Sequence, residues 1–510
     1  MITEKKVSEI KCMKIYHLLI LINFLFNCAA QEKMNSAKEI VRKPAVADAF
    51  YPGNPGELRA AVASYTAEDC KVSNDEDIIG IIVPHAGYVF SGKVAGRAYN
   101  ELKGRKYDAI IIISPSHVTS FKGSCVYKGD AYQTPLGIIK VDKELADSIG
   151  SGSKLLKYGF DGHEWEGARG EHSLEVQLPF FQVVLPDVPI VPIVMGSQNF
   201  ETCDALMRSI VKSVRESGKK VLLAASSDLS HFHDDGTAHA LDSQIVNAFD
   251  NFQYFKLASQ LFSGKWEACG GGPIVTVMMA SELLGANNCR SCMYATSADS
   301  DYPTGKNRVV GYLSGLIMKT DNPVPLLPEL TDAVKEHILA AAKAGVRNAV
   351  YGKDDALEPG PGFDELTKNY ATFVTITKDG NLRGCMGHLY TGLPLIDEIK
   401  ETSKLASMRD YRFGPIERDE MKSLGYEVTI LSRMIRILDT GLIQIGRDGL
   451  YIRLGNASGL LLPQVASERN WDTETFLENL CLKAGLGKND YKNPDAQLYS
   501  FRAVIIHDKD

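Results

Sequence analysis

Three histidines follow within a few residues of the ends of apolar runs of strand length. His85 stands in Pro84-His85-Ala86-Gly87-Tyr88 after the run at 78–83, His117 closes Ser114-Pro115-Ser116-His117 after 110–113, and His231 closes Ser226-Ser227-Asp228-Leu229-Ser230-His231 after 221–225. The chain has only eleven histidines, so their gathering at strand ends suggests a shared task, and converging imidazoles suggest a metal. Cys269 adds a sulfur. It opens Cys269-Gly270-Gly271-Gly272-Pro273 ahead of an apolar helical stretch at 274–284. Glycines admit close backbone approach, Pro273 fits a first helical turn, and a helix N-terminus favours thiolate. Two imidazoles plus one anionic ligand, with open positions, suit non-haem iron, and a thiolate in the anionic slot also admits copper or zinc. The same residue types permit a second chemistry, a cysteine nucleophile with a histidine base in a hydrolase.

Other polar residues nearby have more than one reading. Asp228 fits a helix N-cap, a partner that orients an imidazole, or an acid/base group. Glu171-His172-Ser173, ahead of 174–181, reads either as a further acid/base pair or as a capping motif. Cys289 and Cys292 form a lone C-x-x-C with no second pair at zinc-ribbon spacing, so a surface disulfide or two free thiols is expected rather than a structural zinc.

The elements that must position these groups are legible upstream of residue 320. Apolar runs at 78–83, 110–113, 190–195 and 221–225 are continuous rather than alternating, which suits strands covered on both faces. Helical patterns such as 200–217 lie between them, so an α/β sheet is expected, with ligands collecting beyond the carboxyl ends of its strands. Three prolines in 320–328 stop any helix and predict an extended linker. Downstream, a helix over 329–344, a strand over 371–376 turning at 378–381, strands over 427–431 and 450–454, and a helix over 473–484 give an α+β pattern.

At roughly 100–200 residues per domain, 510 residues imply two or three domains. Apolar residues are 45% and charged residues 23%, values of a chain that buries a core, which excludes disordered, collagen-like and membrane-bundle classes. Fifty-six basic against 63 acidic residues leave −7 overall, and without a basic window the field for nucleic-acid binding is missing. Residues 1–30 look like an export leader: Lys5, Lys6, Lys11 and Lys14 precede an apolar run at 15–26. That run is shorter than the roughly 20 residues of a membrane span. Cys28 is placed as the acylated cysteine of a membrane-anchored lipoprotein, cleavage after Ala30 is the alternative, and a helix buried in a cytoplasmic protein is the third reading.

The strand-end motifs together resemble the Memo family, known in microbes as AmmeMemoRadiSam system protein B. The matching segments are VPHAGY at 83–88, SPSH at 114–117, TPLG at 134–137, EHSLEVQLPF at 171–180, SSDLSH at 226–231 and CGGGPI at 269–274, spanning about 40–318. The resemblance implies a fold like that of class III extradiol dioxygenases, and an iron or copper site at His85, His117 and Cys269. Asp228, His231 and His172 would stand beside it as proton-handling groups around a small molecule or peptide. It also implies a redox activity, although dioxygenases of that fold place a carboxylate where this chain offers Cys269. The part at 329–508 resembles the AMMECR domain, AmmeMemoRadiSam system protein A, through NLRGCMGHL at 381–389, Asp410, Arg412-Phe413, LLPQVA at 461–466, Trp471-Asp472 and CLKAGL at 481–486. There Arg383 and Cys385 read as a thiol beside a cation or as a structural cysteine. The naming of these families implies a radical-SAM partner, for which this chain would be scaffold or substrate-handling subunit. The chain itself lacks the C-x3-C-x2-C cluster motif for an iron–sulfur centre.

Overall fold

The computed structural model of the protein describes residues 39–508 apart from 74–75, 166–169, 303, 354–356 and 358–361. The apolar run at 15–26, Cys28 and Ala30 lie outside the described residues. Among the described residues, no helix is long and apolar enough to cross a membrane.

In the first part of the chain the apolar runs become strands, and shorter strands join them. They are β1 (Asp77–Val83), β2 (Ala109–Pro115), β3 (Ser124–Tyr127), β4 (Leu156–Gly159), β5 (Ile190–Met195), β6 (Val221–Ser226), β7 (His231–His233), β8 (Asn288–Thr296) and β9 (Val309–Lys319). Among the described residues they form a nine-stranded sheet in the order β7-β9-β1-β6-β2-β5-β3-β4, with β8 paired to β9. The neighbours β1, β6, β2 and β5 are parallel and buried almost throughout. Burial on both faces explains why their sequences do not alternate. Val83 is level with Ser226, and Ile113 with Ala225. The residues just beyond β1, β2 and β6 therefore emerge at one edge of the sheet. The helix predicted over 200–217 runs over Phe200–Ser217, capped by the Asn199 side chain and closed by Gly218 at φ 65°.

The second part is α+β. Ala371–Lys378, Asn381–Gly387, Leu424–Leu431 and Ala503–His507 form one four-stranded antiparallel sheet, and Ile435–Ile437, Gly449–Leu454, Ala457–Leu461 and Gln497–Phe501 form another. The helix expected over 329–344 occupies Asp332–Tyr351. It starts later because the Thr331 side chain accepts from the Val334 N–H, and it runs on to Gly352, whose φ of 65° ends it.

Residues 320–328 contain neither helix nor strand, yet the segment is tied down: the Val324 N–H donates to the Asn287 carbonyl at 2.9 Å and Asn288 Nδ2 donates to the Asn322 carbonyl at 2.8 Å. The two parts share one apolar cluster, in which Phe255 lies 5.0 Å from Tyr499 and 5.4 Å from Tyr451, ring centre to ring centre. Within that seam Arg436, 3% exposed, donates through Nε to Asp204 Oδ1 at 2.6 Å and through its terminal nitrogens to the Leu498 and Ala496 carbonyls. Tyr254 Oη accepts from the Arg436 N–H and donates to Glu282, which pairs with Arg433.

The C-x-x-C expectation is corrected. Cys292 is bridged to Cys70, 222 residues away, and Cys289 is a buried free thiol. Three-residue spacing along β8 cannot bring its two sulfurs together, because residues three apart in an extended strand stand roughly 10 Å apart at Cα, beyond the reach of a disulfide.

Asp204→Ala would leave the Arg436 guanidinium buried without a counter-charge. Urea unfolding of that variant is expected to show a loss of about 3–5 kcal/mol, most of it recovered in the apolar double variant Asp204→Leu/Arg436→Met.

Candidate metal centre

The sheet edge sets the donors. His85 is held from both sides of the strand end: its backbone N–H donates to Asp228 Oδ1 at 2.7 Å, and its Nδ1 lies 2.9 Å from Ser226 Oγ at the end of β6. Ser226 decides the tautomer. Its single hydroxyl proton goes to the Ser173 carbonyl at 2.6 Å, and the same oxygen accepts from Gln177 Nε2 at 2.8 Å. His85 Nδ1 must then be a donor as well, so Nε2 keeps its lone pair, 3.1 Å from the sulfur of Cys269.

His117 is set in the same way by a carboxylate. Its Nδ1 lies 3.3 Å from Glu171 Oε1 and its backbone N–H donates to Oε2 at 2.6 Å. Glu171 also accepts from the backbone N–H groups of Val118, His172 and Ser173 and from the Ser173 hydroxyl. Burial works against its charge, but these bonds, led by those from His117, outweigh burial and hold the carboxyl at about 2. A carboxylate that stays ionised only accepts, so His117 Nδ1 donates and Nε2 is free. This removes Glu171 as a proton donor, and the capping reading of Glu171-His172-Ser173 does not hold either, because neither Glu175–Gln177 nor Leu178–Val184 has a side-chain cap hydrogen bond. The loop is anchored below by the buried Arg42–Glu175 pair at 2.5 Å, while Arg42 Nη2 donates to the Glu171 carbonyl.

Cys269 sits against the β6 exit. Its N–H donates to the Asp228 carbonyl at 3.2 Å, and its sulfur accepts from the Asp228 N–H at 3.3 Å. Gly270 comes next, at a point where a Cβ would stand 2.2 Å from the Ser226 carbonyl oxygen, so only glycine fits. The helix Gly271–Leu283 begins two residues after the thiol. The expected thiolate is corrected: burial, reinforced by Asp228, raises the thiol far above its usual value. The helix start does not overcome desolvation, so a cation is needed to release the proton.

One nitrogen of His85, one of His117 and the sulfur of Cys269 lie within 4.8 Å of one another. One ion with bonds of about 2.0–2.3 Å requires donors roughly 3–4.5 Å apart, so this triad fits a single site with small rotations. His117, Glu171 and His172 form a second, overlapping donor group, but Glu171 is already engaged by its backbone donors. His85 is buried and His117 exposed, which leaves the cluster open on the His117 side.

The remaining expected residues stand around this triad without joining it. The His172 ring lies 4.7 Å from that of His117 and 5.5 Å from that of His85. Burial, then His117, lowers His172 to about 4, and burial with the neighbouring histidines keeps His85 far below its usual range, so both are neutral at pH 7. Asp228 is lifted by burial to about 6, opposed by the His85 N–H and by His231. The N-cap reading of Asp228 is excluded because β7, not a helix, comes after it. His231 Nδ1 lies 2.8 Å from the Leu229 carbonyl and so donates to it. Ser226 and Gln177 are site residues that sequence reasoning misses, although Ser226 ends an apolar run and Gln177 lies in the EHSLEVQLPF segment. In the second part, Arg383 is taken up by Glu420 at 2.9 Å rather than left to activate Cys385.

The model of the Memo family, described as Memo-like protein, matches residues 42–316 and so contains every residue of this cluster. The chain belongs to the Memo family. A MEMO1 family protein of Methanobrevibacter smithii is 36% identical over 292 residues, covering 54% of this chain and 99% of that protein. One of Archaeoglobus fulgidus is 34% identical over 279 residues, covering 55% and 100%. The AMMECR1 family model matches residues 333–506, so a Memo domain and an AMMECR1 domain share one chain. A crystal structure of an uncharacterized protein from Pyrococcus horikoshii is 33% identical, with a TM-score of 0.32, and covers 34% of this chain and 92% of its own.

The Glu171 clamp has a pH signature. A carboxyl held at about 2 when folded, against 4.5 ordinarily, binds its proton more readily in the unfolded chain. Its contribution, on the order of 3 kcal/mol, is complete above pH about 4.5 and is lost as the pH falls through about 2. Glu171→Gln is expected to flatten that window in acid-dependent urea unfolding of the Memo-family chain and to lower stability at pH 7.

Proposed function

We propose that the Memo domain holds one redox-active transition metal, iron or copper, on His85 Nε2, His117 Nε2 and Cys269 Sγ, and that the protein is a metal-dependent oxidoreductase acting on a small molecule at the open side of the cluster. The observation that carries this reading is the fixed tautomer: both imidazoles spend Nδ1–H on a protein acceptor and keep Nε2 unprotonated, that of His85 3.1 Å from the Cys269 sulfur, with one nitrogen of His117 in the same cluster. Metal ligands are held in this manner by hydrogen bonds to their outer nitrogen. An ion held there supplies one-electron chemistry, and its thiolate ligand donates more charge than a carboxylate does.

The chain's own residues supply the rest. Glu171 orients His117, Ser226 orients His85, and Asp228 places the His85 backbone through its N–H. His172, His231 and Asp228 are assigned to proton handling around the bound molecule. A thiol 3.1 Å from an imidazole also fits a hydrolase nucleophile, but a thiol raised by burial is a poor one, so the metal reading is preferred. We place the protein in an AmmeMemoRadiSam system with a radical-SAM partner, supported by the presence of Memo and AMMECR1 domains in one chain. An exported location is supported by the Cys70–Cys292 bridge, since disulfides persist in oxidising compartments.

Anaerobic reconstitution with iron(II) or copper followed by metal analysis is expected to give one ion per chain in the wild type. His85→Ala and Cys269→Ala should each lose stoichiometric binding, and Ser226→Ala, which frees the His85 tautomer, should weaken it about 10–100-fold. Unchanged metal content in His85→Ala refutes the assignment. Rapid stoichiometric alkylation of Cys269 in metal-free protein, with ester or amide turnover lost in Cys269→Ser, would establish the hydrolase instead.

A further inference from the structure

Away from the metal centre, the helix Tyr254–Phe262 carries a lysine among residues that belong to the core. Lys256 is 5% exposed and lies between Phe255 and Leu257, both buried. Its Nζ stands 5.5 Å from the centre of the Trp266 ring. Among the described residues the ammonium has no hydrogen bond and no ion pair, and burial alone lowers it to about 8, with no carboxylate close enough to oppose that. A cation–π contact offsets part of the loss of hydration: the aliphatic stem is buried, and Nζ, which has no protein partner, reaches the solvent of the adjoining cleft.

The lysine borders a cleft of about 610 Å³ where the Memo and AMMECR1 domains meet, a size typical of small-molecule sites. Trp266 and Gln260 line one wall, and His388, Leu389 and Tyr390 the other. Glu398 is the one acidic residue of the lining, and it is already committed: the His388 Nδ1–H donates to its Oε1 at 2.7 Å, which raises His388 and leaves the ring's Nε2 side without a protein partner. The lining contains no arginine, only the exposed Lys265 as a further amine. The cleft therefore offers one ammonium without a protein partner, partly desolvated, which suits a monoanion better than a phosphate, whose higher charge is met by arginine forks. Trp266 and Tyr390 supply flat faces for the body of such a ligand.

We propose that this interdomain cleft binds a small organic monocarboxylate with a planar, partly apolar body, its carboxylate paired with Lys256 and its body set against Trp266 and Tyr390. The proposal does not depend on the metal assignment. It is tested on the full chain by calorimetric titration with benzoate and indole-3-carboxylate, each beside its uncharged amide. The acids are expected to bind and the amides to bind about 30-fold or more weakly, and Lys256→Met should lose acid binding by a similar factor. Equal affinity for acid and amide, unchanged binding in Lys256→Met, or no binding of either acid overturns the proposal.

Discussion

One hydroxyl proton governs the geometry at the sheet edge. Ser226 gives it to the Ser173 carbonyl and takes hydrogen bonds from Gln177 and His85. A strand end, the loop that carries Glu171 and His172, and the first histidine are thereby locked to one oxygen atom. Without that proton acceptor in place, the His85 ring has no reason to choose between its nitrogens, and the lone pair that faces Cys269 is lost. The rest of the cluster repeats the device with different atoms: a carboxylate fixes His117, and reciprocal backbone contacts with Asp228 fix the sulfur.

The second organising feature is the seam between the domains. Fused domains commonly meet through small polar interfaces and move relative to one another, whereas here a single apolar cluster crosses the boundary and encloses Arg436 against Asp204. Such a pair adds little net stability over an apolar replacement, but it tolerates only one arrangement of the two halves. The cleft that exposes Lys256 to a ligand exists only in that arrangement, because its walls come from both domains.

Much of this is legible in the sequence where the cause is local. Continuous apolar runs mark β1, β2, β5 and β6 to within a few residues, and the positions just past the ends of parallel strands include His85, His117, Asp228 and His231. The glycines after Cys269 are legible for the same reason, since a missing Cβ can be needed only where two backbones nearly touch. The features that escape depend on burial and on partners far along the chain. Position before a helix predicts an acidic thiol, but desolvation, which has no sequence signature, reverses the direction. Cys70 and Cys292, or Asp204 and Arg436, are separated by more than two hundred residues, and no spacing rule links them. Asp228 reads as a cap only if a helix comes after it, where the chain instead adds an edge strand to the sheet.

The bridge between Cys70 and Cys292 encloses a ring of chain, and His85, His117, His172, Asp228, His231 and Cys269 all lie inside it. A protease that cuts any single peptide bond within the ring produces two fragments that stay covalently joined, with every donor still attached to the same molecule. A clipped population would migrate as intact protein until a reductant is added, and the core of the Memo domain would tolerate one cut better than an open chain of equal length.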